Sequence, residues 1–486
     1  MAQNDSDAND ERRSLLPDNA SEPDHTTIAH ECRVLLEYAL PLISNNIIRS
    51  FAPIISIICL GRLGTRELAS ANLGNLTVNV LGFIIQVGLL SSLDTLTNQA
   101  ITKSPKLACI YTMRTFVMCC MAMPPMYLVL WNSRSILSFV LPHADPEMIR
   151  LSSLYIEITS LAILPYVMFD CLRRFLASMG MMRGPTVVYF FSVPLSITLT
   201  YLLTFKYLGF VGAPIQVVIV NWLEVVILAI YTRTVAPRDA WAGFSMAIFE
   251  DLGVNFRYGI AGVISTGSEW LAFEGMSLGA SYLGQVPQTV NAIAITVGGV
   301  CLQLPFGISQ ASAIRVGNLL GANSPHKAKI ASQAAQISAF IATAITALAI
   351  QVFRKPLGHL FTTDLLVIEM FDRMAYFVAI VSFFDGIQGA CGGILRGAGL
   401  PGAASRINLL SYWFAGIPLG VWATMKTKKI EGLFTGLTVA VFIAASLMLW
   451  IIWRCDWEKR AREARERMDN SEAVAGLNRP DDLVEP

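Results

Sequence analysis

Between residues 34 and 453 the chain alternates long apolar stretches with short polar breaks. The apolar stretches lie near 34–60, 68–93, 108–131, 149–172, 185–205, 211–231, 258–282, 288–312, 331–353, 367–395, 401–425 and 430–453. Each approaches or exceeds the ~20 residues that a helix needs to cross a bilayer. The breaks hold turn formers and charge, as in Gly61-Arg-Leu-Gly64, Lys103-Ser-Pro-Lys106, Arg183-Gly-Pro185 and Asn323-Ser-Pro325. The pattern predicts an all-α polytopic membrane protein with about 12 transmembrane helices.

The pattern also repeats once. The run from Leu81 to Gly88 returns as Cys301-Leu-Gln-Leu-Pro-Phe-Gly307, an offset of 219 residues that also carries Asn72 onto Asn291. Phe175-Leu-Ala-Ser-Met-Gly180 and Ile394-Leu-Arg-Gly-Ala-Gly399 lie at the same offset. Two similarities at one spacing point to two copies of a six-helix unit. An even number of crossings returns the second copy to the same side, so the copies are parallel, as in a transporter with a central cleft. The expected organisation is a disordered cytoplasmic tail 1–33, an N-lobe 34–231, a cytoplasmic linker 232–257, a C-lobe 258–453 and a cytoplasmic tail 454–486.

Composition supports a bilayer setting. The 486 residues are 54% hydrophobic and only 15% charged, against roughly a quarter charged in soluble proteins. Charges crowd into residues 1–33, 232–257 and 454–486. The net charge of +1 identifies no partner, and no nucleic acid is expected. Nine scattered cysteines form neither a metal signature nor a disulfide framework, and within spans they read as small packing residues. The polar first 30 residues are no cleavable signal peptide, so the first span directs insertion.

Orientation follows from lysine and arginine. With a cytoplasmic N-terminus, inner loops and span edges hold 13 and the outer side 10; the tails, rich in arginine, place both termini inside. The N-terminal tail contains Glu11-Arg-Arg-Ser-Leu-Leu16, with Glu11, Leu15 and Leu16 in an acidic-dileucine pattern that an adaptor could read. A vacuole- or lysosome-like membrane is the address this implies, with the plasma membrane as the alternative. The tail after Trp457 alternates Glu and Arg at helical spacing, which reads as a solvated helix near anionic headgroups.

Several motifs then converge on one family. Gly61-Arg-Leu-Gly-Thr-Arg-Glu-Leu-Ala69, Leu93-Asp-Thr-Leu-Thr-Asn-Gln-Ala100, Glu269-Trp-Leu-Ala-Phe-Glu274, Pro305-Phe-Gly307, Arg315-Val-Gly-Asn-Leu-Leu-Gly-Ala322 and Gly393-Ile-Leu-Arg-Gly-Ala-Gly399 resemble the signatures of the multidrug and toxin extrusion (MATE) family, eukaryotic branch. The resemblance runs in order from about residue 34 to residue 453. It implies two six-helix lobes in a V, a cleft between them, and export of organic compounds coupled to inward H⁺ or Na⁺. Bacterial members commonly carry an aspartate in the first helix; the matching position here is Ser56, which moves attention to the C-lobe. Eukaryotic members often carry a glutamate in helix eight where this chain has Thr296.

Ionisable side chains deep in a bilayer are costly, at least ~2.5–3.5 kcal/mol each, and face a cavity or a partner. Glu269 and Glu274 sit mid-span, five residues apart, about 140° around a helix, so they do not share a face. Asp385 lies midway along helix ten, among Gly386, Gly389, Gly392 and Gly393, which permit close approach. A carboxyl group withdrawn from water favours its protonated form, so such a group can take a proton on one side and release it on the other. Glu269, Glu274 and Asp385 are therefore the coupling candidates. In eukaryotic relatives, an acidic residue at the Asp385 position pairs functionally with the helix-seven glutamate. Asn291, Gln303 and Tyr412 are candidates to complete a polar cluster, and Trp270 and Phe273 to line a cleft. Arg49 needs a partner, Asp94 reads as a partner for an inner-loop arginine, and Asp170 with Arg174 reads as an i,i+4 ion pair. Gly-Lys-Ser/Thr is absent, which argues against ATP-driven transport. The expected protein is not an enzyme and needs no cofactor beyond the coupling ion: a monomeric, proton-coupled exporter, with Na⁺ as the alternative ion. A lipid-linked substrate flippase, or a non-transporting sensor or scaffold, are the competing readings.

Overall fold

The structure is a computed structural model that describes residues 27–477, apart from 143, 236, 238, 239, 244 and 245, and leaves aside the side chains of 52–54. Glu11, Leu15 and Leu16 lie outside the described residues. Among the described residues there is no strand, and thirteen major helices follow one another. They are α1 Ile28–Leu63, α2 Thr65–Ala100, α3 Pro105–Trp131, α4 Pro146–Ser178, α5 Arg183–Tyr207 and α6 Gly209–Val235. Then come α7 Leu252–Tyr282, α8 Gln285–Gly321, α9 Pro325–Phe361 and α10 Leu365–Gly397. α11 runs Pro401–Leu409, passes through a π turn Leu410–Gly416 and continues as Ile417–Thr427. α12 is Glu431–Trp453 and α13 is Trp457–Val474. Nine of the described helices are long and apolar enough to cross a membrane by composition alone.

The helices outrun the apolar windows that predict them. α8 and α9 are each 37 residues, about 55 Å at 1.5 Å per residue, so their ends extend past the hydrocarbon. Helix starts follow the turn chemistry. Pro105 and Pro146 take first-turn positions after Ser104 and Asp145, whose side chains accept from Leu107 N (3.4 Å) and Glu147 N (3.1 Å). Asp364 does the same for Leu366 N at 2.9 Å.

The repeat is written into the element bounds. Moving α4 along by 219 residues gives 365–397, the bounds of α10, and the end of α1 moves onto the end of α7 at Tyr282. The contacts divide the described chain into two compact units: 44–263 with 465–477, and 27–43 with 264–464. The beginning of α1 thus packs in the second unit and the beginning of α7 in the first.

The repeated glycines explain this exchange. A Cβ on Gly88 of α2 would overlap the backbone of Val263 in α7, and a Cβ on Gly307 of α8 would overlap Ile43 in α1. In each unit an incoming helix lies against a bare glycine backbone, a contact that small residues make possible between membrane helices. In α10, Gly386 lies against Thr343 and Pro305, and Gly393 against the Ser309 carbonyl, whereas Gly389 has open space beside it. Only part of that glycine run therefore serves close packing.

One group of charges in the first unit is closely paired. Asp170 accepts from Arg173 (Nε, 2.8 Å) and Arg174 (Nε, 2.6 Å), and Arg174 also pairs with Asp94 across helices. In the second unit Arg315 of α8 forks onto Glu31 of α1, Nε to Oε2 at 3.0 Å and Nη2 to Oε1 at 2.8 Å, both residues buried. That bidentate geometry is the strong form of the interaction.

α13 differs from the solvated helix its charge pattern predicts. Ala461, Ala464, Met468 and Ser471 are buried along one face. Within the first unit, Arg467 donates to Gln99 Oε1 (2.7 Å) and lies over the Tyr258 ring, Ser471 meets Asp251, and Lys103 pairs with Asp469 and Glu472. Burial works against the charge on Lys103, but its two carboxylate partners outweigh burial and raise its pKa. The pair's contribution is therefore complete at neutral pH and is lost only as pH rises beyond the usual lysine range.

Gly88→Ala and Gly307→Ala should each lower thermal stability in detergent by about 1–3 kcal/mol, the usual cost of overpacking. Gly389→Ala, with free space and better helix propensity, should leave it unchanged or raise it; equal losses at all three positions would refute the close-approach account. Lys103→Glu, which sets three like charges together, should release α13 and speed proteolytic cleavage within residues 457–474 severalfold over wild type. Unchanged cleavage would mean that the apolar face alone holds the helix.

Candidate functional site

The second unit gathers polar groups where α7, α10 and α11 meet. Gln388, buried on α10, stands at the centre. Its Nε2 donates to Glu269 Oε2 of α7 (3.5 Å) and Asn408 Oδ1 of α11 (3.4 Å), and its Oε1 accepts from the Tyr412 hydroxyl (3.2 Å). The first two distances are long for hydrogen bonds and therefore weak. Asn408 in turn donates to Ser265 Oγ of α7 at 3.0 Å. Asp385, one turn before Gln388, is buried and within hydrogen-bonding reach of Tyr412. It also lies close enough to Glu269 for their charges to interact.

Local structure places these groups. On α10, Asp385 and Gln388 are three apart and share a face. The neighbouring Gly386 brings this helix against α8 and α9. On α11, Tyr412 falls inside the π turn, which widens the helix, a feature frequent at functional sites. Trp413, next in the turn, donates its indole N–H to the Ser268 carbonyl at 3.1 Å and ties α11 to α7 just before Glu269. Around the cluster the core is apolar: Ala272, Val297, Val381, Leu437 and Ala440 belong to it.

The cluster's charge is not balanced locally. Among the described residues no lysine or arginine nitrogen lies within 4 Å of Glu269 or Asp385. The charge of Arg396 is felt at Glu269, but its guanidinium donates to Ser309 Oγ at 3.1 Å. Ser309 itself donates to the Gly389 carbonyl at 2.6 Å. Two carboxyl groups this close repel when both are charged, a repulsion that a proton or a guest cation would relieve.

The other sequence candidates fall elsewhere. Glu274 is exposed, on a different side of α7 from the half-buried Glu269, as their angular separation requires. Trp270 is exposed and Phe273 packs against the apolar core. Asn291 donates to Ser277 Oγ at 3.2 Å, away from the cluster. Gln303 is half-buried, with no hydrogen bond to the cluster among the described residues. Thr296 is exposed and its hydroxyl donates to the Ala292 carbonyl at 2.8 Å. Gln388, Ser265 and Asn408 are the cluster members that sequence reasoning did not single out, and Asn408 is the least visible. Its only signal is a polar side chain one turn before Tyr412 in an apolar helix.

A small pocket of about 90 Å³ adjoins the cluster, lined by Ala272, Met276, Tyr412, Gly416, Gly420 and Leu437 among others. Tyr412 is common to both, so the phenol links an apolar cavity to the carboxyl groups.

Comparison with known proteins agrees with this architecture. The MatE family model matches residues 41–202 and 263–422. An uncharacterized transporter of Schizosaccharomyces pombe is 30% identical over 93% of this chain and 85% of its own. Protein DETOXIFICATION 14 of Arabidopsis thaliana is 28% identical over 91% of this chain and 92% of its own. Multidrug and toxin extrusion protein 1 of Xenopus tropicalis is 28% identical, covering 90% of this chain and 76% of its own. The crystal structure of the eukaryotic MATE transporter AtDTX14 superposes with a TM-score of 0.86 at 27% identity, covering 91% of this chain and 99% of that one. The protein is thus a polytopic integral membrane transporter, and it belongs to the MatE family, the multidrug and toxin extrusion transporters.

Proposed function

We propose that the chain exports organic compounds in exchange for protons, with Glu269 and Asp385 as the proton carriers. The observation that carries this reading is two carboxyl groups in one hydrogen-bonded cluster with no balancing cation within 4 Å among the described residues. The relatives named for multidrug and toxin extrusion support the export of organic solutes.

Tyr412 supplies the link between proton and structure. A phenol has one hydrogen to donate. When Asp385 is charged it claims that hydrogen. When Asp385 is protonated it can donate to the phenol oxygen, and the Tyr412 hydrogen turns to Gln388. Gln388 reaches Glu269 and Asn408, so one protonation event rearranges bonds on three helices. The pocket beside Tyr412 would change shape with it.

The proposal is tested in proteoliposomes, with an imposed pH gradient and a panel of cationic, neutral and anionic dyes. Glu269→Gln and Asp385→Asn should each reduce gradient-driven transport at least tenfold while the protein still folds. Wild-type rates in both would refute the assignment, and transport driven by Na⁺ but not by pH would replace the ion. Tyr412→Phe keeps the ring but removes the reporting hydrogen. It should retain transport with an altered pH profile; an unaltered profile would remove Tyr412 from the coupling path.

The proposed address is a vacuole- or lysosome-like membrane, with both termini cytoplasmic and Glu11, Leu15 and Leu16 read by an adaptor. In that setting proton exchange loads solute into the acidic lumen. Leu15→Ala with Leu16→Ala should move a fluorescently tagged protein to the plasma membrane. An unchanged location would leave the motif without that role and make plasma-membrane export the better reading.

A further inference from the structure

The first unit carries a cation where the second carries its acids. The 219-residue offset maps Asp385 onto Tyr166, Asn408 onto Tyr189, and Ser268-Glu269 onto Arg49-Ser50. In the first unit these residues also come together. The guanidinium carbon of Arg49 lies 5.1 Å from the centre of the Tyr166 ring and 5.9 Å from that of Tyr189. Each ring is braced by a phenylalanine: Phe83 meets Tyr166 edge-on at 5.1 Å, and Phe169 meets Tyr189 at 5.2 Å.

Arg49 has its aromatic supports but no ion-pair partner. Among the described residues, no carboxylate oxygen lies within 4 Å of it and it donates no hydrogen bond. Two carboxylates act on it only through space. Asp170 is occupied by Arg173 and Arg174, and Glu224 accepts from Ser192 Oγ at 2.6 Å. The side chain is nevertheless exposed, 21 residues from the start of α1 and 14 from its end, about 31 and 21 Å along the axis. An arginine at that depth is costly in lipid, so its exposed edge calls for an aqueous cavity. A guanidinium held over two rings with no hydrogen bond of its own among the described residues has N–H groups left for a planar bidentate acceptor.

We propose that Arg49, seated on Tyr166 and Tyr189, is a binding site for the carboxylate group of aromatic organic acids. The guanidinium forks onto the carboxylate and the braced rings flank the aromatic body. Glu224 competes with the guest for the positive charge and so moderates its affinity. The proposal rests on the chain being a solute transporter, but not on the proton assignment.

The test is equilibrium dialysis of radiolabelled benzoate against the full-length protein in detergent, with benzamide as the uncharged competitor. Benzoate should bind and benzamide should not displace it. Arg49→Gln should weaken benzoate at least tenfold, Arg49→Lys should recover part of the loss, and Glu224→Gln should tighten binding severalfold. The same measurement on Glu269→Gln separates this site from the proton reading, because benzoate binding persists there if Arg49 holds it. No binding to wild type, equal displacement by benzamide, or unchanged affinity in Arg49→Gln would each overturn the proposal. If Arg49→Gln does not fold, Glu224→Gln decides, and unchanged affinity there overturns it.

Discussion

A charge inside a bilayer must be matched by a partner charge, a proton or a guest, because hydrocarbon offers nothing else. Most deep charges in this chain are matched by partner charges. Asp94, Asp170, Arg173 and Arg174 close one network in the first unit, and Glu31 closes on Arg315 in the second. Such pairs add little net stability when measured against an apolar core, but breaking one strands the other. They therefore fix which helices stand together. Besides Glu224, held by Ser192, and the exposed Glu274, those left are Glu269 with Asp385, and Arg49. These groups lack a partner charge within 4 Å among the described residues, and they are the ones a transported ion or solute can complete.

The second constraint is how closely helices can approach. Without a hydrophobic drive between helices in lipid, packing comes from contact, and contact is closest at glycine. Gly88 and Gly307 admit Val263 and Ile43, and each incoming segment then belongs to the unit it enters. In α10, Gly386 lets the helix sit against α8 and α9 with Asp385 beside it. The same backbone that allows the packing thus sets where the carboxyl group stands.

The apolar windows made the helix count, the order and the twofold repeat legible in the sequence, because length and spacing encode them directly. The family was legible too, because its motifs stand in order along the chain, four of the six at turns and helix ends. The paired charges Asp170–Arg174 and Asp94 were partly legible, since an i,i+4 pair is local while the Arg174–Asp94 contact crosses helices. The cluster was less so. Glu269 and Asp385 stand out as carboxyls in apolar runs, but Asn408 and Gln388 join them only through the rotation of three helices, which the π turn in α11 alters by shifting the register of everything around Tyr412. Asn291 and Gln303, which look equivalent in sequence, sit elsewhere on α8 for the same reason. α13 looked solvated because its charges dominate its composition, while its buried face is made by Trp457, Ala461, Ala464, Met468 and Ser471.

The repeat gives the two proposed sites a common logic. One scaffold position holds Asp385 in the second unit and Tyr166 in the first; another holds Asn408 and Tyr189. Duplication preserved the helix bounds because packing depends on them. It did not have to preserve the charge, because a side chain beside an aqueous space is freer of packing than one in the core. Where the second unit has the proposed proton carrier the first has a ring that seats a cation, and Arg49, adjacent to the position of Glu269, takes that seat. On the proposed reading, equivalent positions in the two units answer to different guests, a proton in one and an organic anion in the other.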